Sequence, residues 1–195
     1  MQPYIDKLKS NLEDSIRFTQ AFLAREEAHT SFGRAVEAVV SAYRRGGRLY
    51  IAGNGGSAAD AQHLAAEFVS KLARPRAPLP AEALTVDSSV LTAIANDYGY
   101  DEVFARQIAG KMAPTDVFLG ITTSGQSRNI LRSLEQCRLM GITSIVFSGR
   151  SGGPVKDLAT HCITATGDST AAIQELHILL AHTLCLCVES ELFPS

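Results

Sequence analysis

His63 and Glu67 stand four residues apart, so on a helix an imidazole and a carboxylate would share one face. Such a pair can be half of a metal site, an acid–base couple, or a plain ion pair on a helix, and the spacing alone does not separate the three. Just upstream, the apolar run Leu49-Tyr50-Ile51-Ala52 ends at Gly53-Asn54-Gly55-Gly56-Ser57. A glycine turn between a strand and a helix leaves backbone N–H groups at the positive end of the helix dipole, a ready place for a phosphate. Through Ala58 the stretch also fits G-x-G-x-x-A, but the acidic residue that would hold a ribose about 20 positions on is missing from a strand end. A phosphate or sugar-phosphate cradle is favoured over a plain turn, because Asn54 and Ser57 add side-chain hydrogen-bonding groups.

A second turn has related chemistry. Thr122, Thr123, Ser124 and Ser127 place four hydroxyls around Gly125 where a helix should begin. Hydroxyls and backbone N–H groups bind phosphate without a cation, although such a cluster can also do no more than cap its helix. GxxxxGK[ST] does not occur, which argues against a P-loop. Near the C-terminus, Gln174, Glu175, His177 and His182 add oxygen and nitrogen donors. Gln174 and His182 are eight residues apart, roughly 12 Å of helix rise. That is awkward for one ion unless Gln174 lies in a frayed helix start or the two come from different subunits.

These residues need a scaffold, and the apolar pattern supplies one. Helices are predicted over about 5–23 and 31–45, ended by Gly46-Gly47. The Leu49–Ala52 strand then leads into a helix with Ser57 and Asp60 as start signals. Strands follow at Glu82–Val86, Asp116–Ile121, Ile142–Phe147 and His161–Thr164, each separated by helical stretches at about 87–95 and 101–111, 128–140, and a short one through Leu158. A long apolar helix from about Ala172 to Leu192 closes the chain. Strand and helix in alternation imply a parallel sheet with right-handed crossovers, and ligands then sit at the carboxyl ends of the strands. The two N-terminal helices are an extra layer for covering the sheet or for packing subunits together.

At 195 residues the chain is expected to form a single domain, with residues 1–46 as N-terminal helices and 48–195 as the sheet core and last helix. A net charge of −2 with scattered basic residues, apart from Arg44-Arg45 and the pair Arg74 and Arg76, predicts no nucleic-acid partner. The four cysteines lack CxxC spacing and lie in apolar surroundings, so reduced core residues are expected. The N-terminus is charged throughout, and the apolar run from Ile178 to Val188 is too short for a bilayer and contains His182. No membrane association and a cytoplasmic location are expected.

Taken together, GNGGSAADAQHLAAEF, LTAIANDYGYD, TTSGQSRNIL and IQELHILLAH resemble the sugar isomerase (SIS) family, in register from the first helix to the end. The resemblance implies an α/β fold, a three-layer αβα sandwich around a five-stranded parallel sheet of flavodoxin type, with extra N-terminal helices. It implies a homotetramer with one zinc per subunit. The implied activity is aldose–ketose isomerisation of a phosphorylated substrate, sedoheptulose 7-phosphate to D-glycero-D-manno-heptose 7-phosphate, for lipopolysaccharide core or related glycans. Matched by position, the zinc ligands fall on His63, Glu67, Gln174 and His182. Substrate contacts fall on Asn54, Gly55, Gly56, Glu67, Asn96, Asp97, Thr122, Thr123, Ser124, Ser127 and Gln174, with Ser57 beside them in the first turn. Glu67 is the implied base and His182 the implied acid. Two departures stand out: the hydroxyl turn opens with Thr122 where the family usually has Ser, and Thr170-Ala171-Ala172 lacks the charged residue often found there. The rival readings are a non-catalytic SIS module that binds a sugar phosphate or a protein such as a replication initiator, and a nicotinamide-dependent oxidoreductase. Retention of both Glu67 and His182 argues against the first, and the missing ribose acid against the second.

Overall fold

In the computed structural model, which describes residues 1–194, five strands lie side by side in the order β2-β1-β3-β4-β5, and every neighbouring pair is parallel. The strands are β1 (Leu49–Gly53), β2 (Ala81–Ala83), β3 (Val117–Ile121), β4 (Thr143–Gly149) and β5 (His161–Ala165). Two helices precede β1, namely α1 (Gln2–Leu23) and α2 (Glu26–Arg44), and α3 (Gly56–Val69) follows it. Then come α4 (Ser88–Tyr98) and α5 (Ala105–Lys111) after β2, α6 (Arg128–Met140) after β3, the short α7 (Val155–Leu158) after β4, and α8 (Thr170–Leu192) after β5.

β1 and β3 are buried along their whole length, as central strands covered on both faces must be. The period of two divides their side chains between two cores. Leu49, Ile51, Val117, Leu119 and Ile121 face α2, α3 and α8, while Tyr50, Ala52 and Phe118 face α5 and α6. At the other end of these strands Asp116 joins their starts, accepting from the backbone N–H of Arg48 and of Ala113 at 2.8 Å each.

Several boundaries differ from the sequence expectation. α2 begins at Glu26, where Glu26 and Glu27 fill its first turn and complement the helix dipole. α3 begins at Gly56 with Gly55 as N-cap, so Ser57 lies inside its first turn and is buried. β2 is shorter and earlier than Glu82–Val86, because it is an edge strand that pairs only with Leu49–Ile51, and the chain then turns so that Asp87 can cap α4. The helix expected over 101–111 divides into a 3₁₀ turn at Tyr100–Glu102 and α5, with Val103 and Phe104 buried between them. The last helix also exceeds the apolar run read from sequence. At 23 residues it is long and apolar enough, by length and composition, to cross a membrane, but here it is a core helix with Ile173, Leu184, Cys185 and Val188 fully buried.

α8 is pinned to the sheet by His177. Its Nε2–H donates to the Ser148 carbonyl at 2.8 Å, and Ser148 Oγ in turn donates to the Gly152 carbonyl at 2.8 Å. The ring is 1 % exposed, Nδ1 is buried with no partner among the described residues, and burial pushes the imidazole down from 6.5 to about 4. The native state therefore holds His177 neutral over a range where the unfolded chain binds a proton. Stability from this group is complete above pH 6.5 and is lost as pH falls toward about 4, by up to about 3 kcal/mol. His177→Gln keeps a donor for Ser148 and removes the titration, so chemical denaturation across this window should show a shallower loss than in the wild type. Identical pH slopes in the two proteins would mean that His177 does not set this dependence.

Candidate active site

β1 leads to α3 and β3 leads to α6, and because β2 lies on one side of β1 while β3 and β4 lie on the other, the two turns open a crevice between them. This is the switch point of a doubly wound sheet. A cavity of about 330 Å³ occupies it, lined by Asn54, Gly55, Gly56, Ser57, Ile121, Thr122, Thr123, Ser127, Thr170 and Gln174. Larger grooves of about 590 and 650 Å³ lie beside the 3₁₀ turn and between α2 and α8.

The starts of α3 and α6 differ from those of α4 and α8. α4 and α8 are capped by side chains, with Asp87 accepting from Val90 N–H at 3.0 Å and Ser169 from Ala172 N–H at 3.2 Å. The N-cap of α3 is Gly55, which has no side chain, and the N-cap of α6 is Ser127, whose hydroxyl pairs with Thr122 Oγ1 at 3.0 Å instead of capping. Helix capping therefore does not account for this part of the hydroxyl cluster. Two helix N-termini are left facing one cavity, the arrangement that favours an anion.

Close approach is built from glycine. A Cβ on Gly56 would collide with the Gln174 amide, and one on Gly125, at φ +66°, would collide with the Gly152 carbonyl. Asn54 is held from two sides: its amide exchanges hydrogen bonds with Asn129 at 2.8 and 2.9 Å, and Oδ1 accepts from the Tyr100 hydroxyl at 2.9 Å. With the oxygen occupied twice and one N–H used, a single N–H remains to offer a ligand. Ser124 lies in the hydroxyl turn, where its Oγ accepts from Gln126 N–H at 3.1 Å. Asn96 and Asp97 are exposed at the end of α4, with Asn96 Nδ2 donating to Asp97 Oδ1 at 2.8 Å. Neither they nor Ser124 line the cavity.

α3 and α8 run side by side in the same direction. Gln174 meets the start of α3 at Gly56, and seven residues along α3 His63 meets His182, their Nε2 atoms 2.8 Å apart. One ring donates and the other accepts. Glu67 Oε1 lies 3.5 Å from His63 Nε2, and the Glu67 side chain is four-fifths buried. Asp60, one turn before His63, has a buried Oδ2 with no partner among the described residues, and burial pushes its carboxyl upward.

His63, Glu67 and His182 thus come together, whereas Gln174 sits with the phosphate turns. Because α8 starts at Thr170, Gln174 is inside the helix and not at a frayed start. Among the described residues no group of three or more His, Cys, Asp or Glu side chains has the closeness of a formed metal site. The chemistry of the donors nonetheless suits a divalent ion, with two imidazole nitrogens face to face beside a carboxylate.

Sequence reading missed Asn129, Tyr100, Ile121 and Thr170 as parts of this site. Thr170 is the first residue of α8 in a segment whose lack of charge is conspicuous, yet it lines the cavity. Asn129 follows the hydroxyl turn directly, but its partner Asn54 is 75 residues away, and only the pairing of β1 with β3 joins them.

Comparison with known proteins follows the same lines. Residues 13–149 match the SIS domain family. The chain is 47 % identical over 186 residues to phosphoheptose isomerase 2 of Campylobacter jejuni, covering 95 % of this chain and 92 % of that protein. It is 43 % identical over 188 residues to the phosphoheptose isomerase of Aneurinibacillus thermoaerophilus, covering 96 % and 95 %. Its fold superposes on the phosphoheptose isomerase of Neisseria gonorrhoeae with a TM-score of 0.89 at 35 % identity, covering 96 % of this chain and 99 % of that one. For the Francisella tularensis phosphoheptose isomerase the TM-score is 0.90 at 34 % identity, covering 96 % and 98 %.

Proposed function

With the chain's membership of the SIS family, in its phosphoheptose isomerase branch, as premise, we propose how its site interconverts sedoheptulose 7-phosphate and D-glycero-D-manno-heptose 7-phosphate. The enzyme is an aldose–ketose isomerase of heptose biosynthesis, for lipopolysaccharide core or related glycans. One observation carries the reading of the site: the parallel helices α3 and α8 bracket the cavity of about 330 Å³ between the two turns at one end and the His63, Glu67 and His182 cluster further along. From Gly56 to His63 the helix rises roughly 10 Å, the scale of an extended sugar chain between its phosphate and its carbonyl.

The phosphate binds between the starts of α3 and α6, against Gly55, Gly56, Ser57, Thr122, Thr123 and Ser127, and Ser124, outside the lining of the cavity, reaches it by a turn of its side chain. Asn54 gives its one free N–H to a sugar oxygen, and Gln174, Asn96 and Asp97 complete the substrate contacts. Glu67 then removes a proton from C1 of the ketose, and the electron pair forms the C1–C2 double bond of a cis-enediol as the C2 carbonyl oxygen takes a proton from His182. In the second half the proton on Glu67 is delivered to C2, and the O1 proton passes to His182 as the C1 aldehyde forms. His63, hydrogen-bonded to His182, holds that ring in place. We assign one zinc per subunit to His63, Glu67 and His182, completed by Gln174 from a neighbouring subunit, because within one chain Gln174 lies at the phosphate end of α8. When bound, such an ion polarises a carbonyl oxygen as a Lewis acid. A module that only binds sugar phosphate would have no use for the convergence of a carboxylate and two imidazoles.

We also propose a homotetramer in the cytoplasm, without nucleic-acid or membrane partners. The support for assembly is apolar surface: Ile5, Leu8, Leu12 and Ile16 along α1 are 40–59 % exposed, as are Leu179 and Leu186 of α8 at 50 % and 42 %. A row of such side chains at helical spacing packs well against a symmetry mate. The four cysteines are free, which agrees with a reducing compartment.

Glu67→Gln and His182→Gln should each lower turnover about 10²–10⁴-fold while circular dichroism stays native. A folded Glu67→Gln enzyme with near-normal rate would sink the acid–base assignment. Elemental analysis of protein purified without chelators should find about one divalent ion per chain, and far less in His63→Ala. Metal-free protein with full activity would end the zinc assignment. Light scattering should give about four chains per particle. An active monomer at assay concentration would leave α1 as a mere cover for the domain.

A further inference from the structure

Arg74 and Arg76, in the loop after α3, belong to none of the groups described above. The Arg76 side chain is 1 % exposed, and its Nε donates to Glu189 Oε2 at 2.9 Å, on a carboxylate that is itself 2 % exposed. The rest of the guanidinium fork reaches the end of α3. Nη2 donates to the Glu67 carbonyl at 2.8 Å and Nη1 to the Phe68 carbonyl at 2.7 Å. These are among the last carbonyls of the helix, which lack helical partners and carry the negative end of its dipole. Glu189 stands on α8, seven residues beyond His182, and its Oε1 also accepts from Arg74 N–H at 3.2 Å. Burial alone would raise the Glu189 carboxyl, but the bonds from Arg76 and Arg74 outweigh it and hold the group below the usual carboxylate range.

A buried ion pair is a weak device for stability, since apolar residues of similar volume often do as well or better. What apolar residues cannot do is bind two main-chain carbonyls of one helix and a carboxylate of another through a single rigid fork. We propose that Arg76 and Glu189 are positioning residues for the isomerisation, clamping the C-terminal end of α3 to α8 and so fixing Glu67 against His182. The proposal rests on the reading of Glu67 and His182 as the acid–base pair. The clamp lies at the chemical end of the helix pair. The phosphate end, at Gly56 and Gln174, is eleven residues and roughly 16 Å earlier along α3 and has its own close contact. Releasing the clamp should therefore disturb proton transfer and leave phosphate binding in place.

The double variant Arg76→Met/Glu189→Leu removes both charges and leaves neither buried alone. Its scattering mass should stay near that of the wild type, and its melting temperature should fall by several degrees as the Glu67 carbonyl and Arg74 N–H lose these partners. Its KM for sedoheptulose 7-phosphate should change less than about twofold, and its kcat at a temperature where it is folded should fall about 10- to 10²-fold, as small misplacements of catalytic groups do. Arg76→Lys keeps the charge but not the fork, and its kcat should be intermediate. Wild-type kcat in the folded double variant, or a loss expressed mainly in KM, would overturn the proposal. Should the double variant not fold, Arg76→Lys decides: an unchanged kcat rejects the clamp and a reduced kcat at constant KM supports it. Glu67→Gln assayed alongside separates the two levels, because an inactive Glu67→Gln with an active clamp variant rejects only the clamp, whereas an active Glu67→Gln rejects the acid–base reading itself.

Discussion

The order of five parallel strands is the constraint from which the site follows. Parallel pairing sends each chain crossing over a face of the sheet, so every strand ends on the same side and every polar turn collects there. Between β1 and β3 the winding changes direction, and the turns after these strands part. The crevice exists because of connectivity, before any side chain fills it. Its two walls are helix starts, which brings two sets of free backbone donors to one place without a single buried cation.

Capping chemistry sharpens the point. The chain uses Asp87 and Ser169 to cap α4 and α8, and leaves Gly55 and Ser127, neither of which caps with a side chain, at the starts of α3 and α6. A capped N-terminus has spent part of its positive potential on its own side chain. Thr122 helps by engaging the Ser127 hydroxyl, so that the turn stays ordered while the helix start stays available. The methyl group that Thr122 carries in place of a family serine is buried, and the hydroxyl bond is intact.

The second organising contact is the seam between α3 and α8. It is a series of different interactions along two parallel helices: glycine against amide at Gly56 and Gln174, imidazole against imidazole at His63 and His182, and an arginine fork between the Glu67 carbonyl and Glu189. Binding and chemistry are spaced along that seam by helix rise, which is stiff. Behind it, His177 and Ser148 tie α8 to the end of β4 and, through Gly152, to the glycine of the hydroxyl turn.

What the sequence by itself determined was local. The glycine turn, the hydroxyl turn and the four-residue step from His63 to Glu67 are contiguous patterns whose physics acts within one or two helical turns, and they stood in the structure where they were read. The alternation of apolar strands and helices likewise set the sheet's parallel character and its two faces. The tertiary structure decided the pairings that span the chain: Asn54 with Asn129, His63 with His182, Arg76 with Glu189. α8 shows the reason. It is apolar around much of its circumference, so its sequence has no strong polar face to say how it is turned, and nothing local aligns it parallel to α3. Only packing against the sheet fixes that rotation, and with it the partners of Gln174, His182 and Glu189. The boundaries that were misread, at β2 and around Val103 and Phe104, fail for the same cause, since burial of those two side chains and the reach of an edge strand are properties of neighbours that no short window of sequence contains.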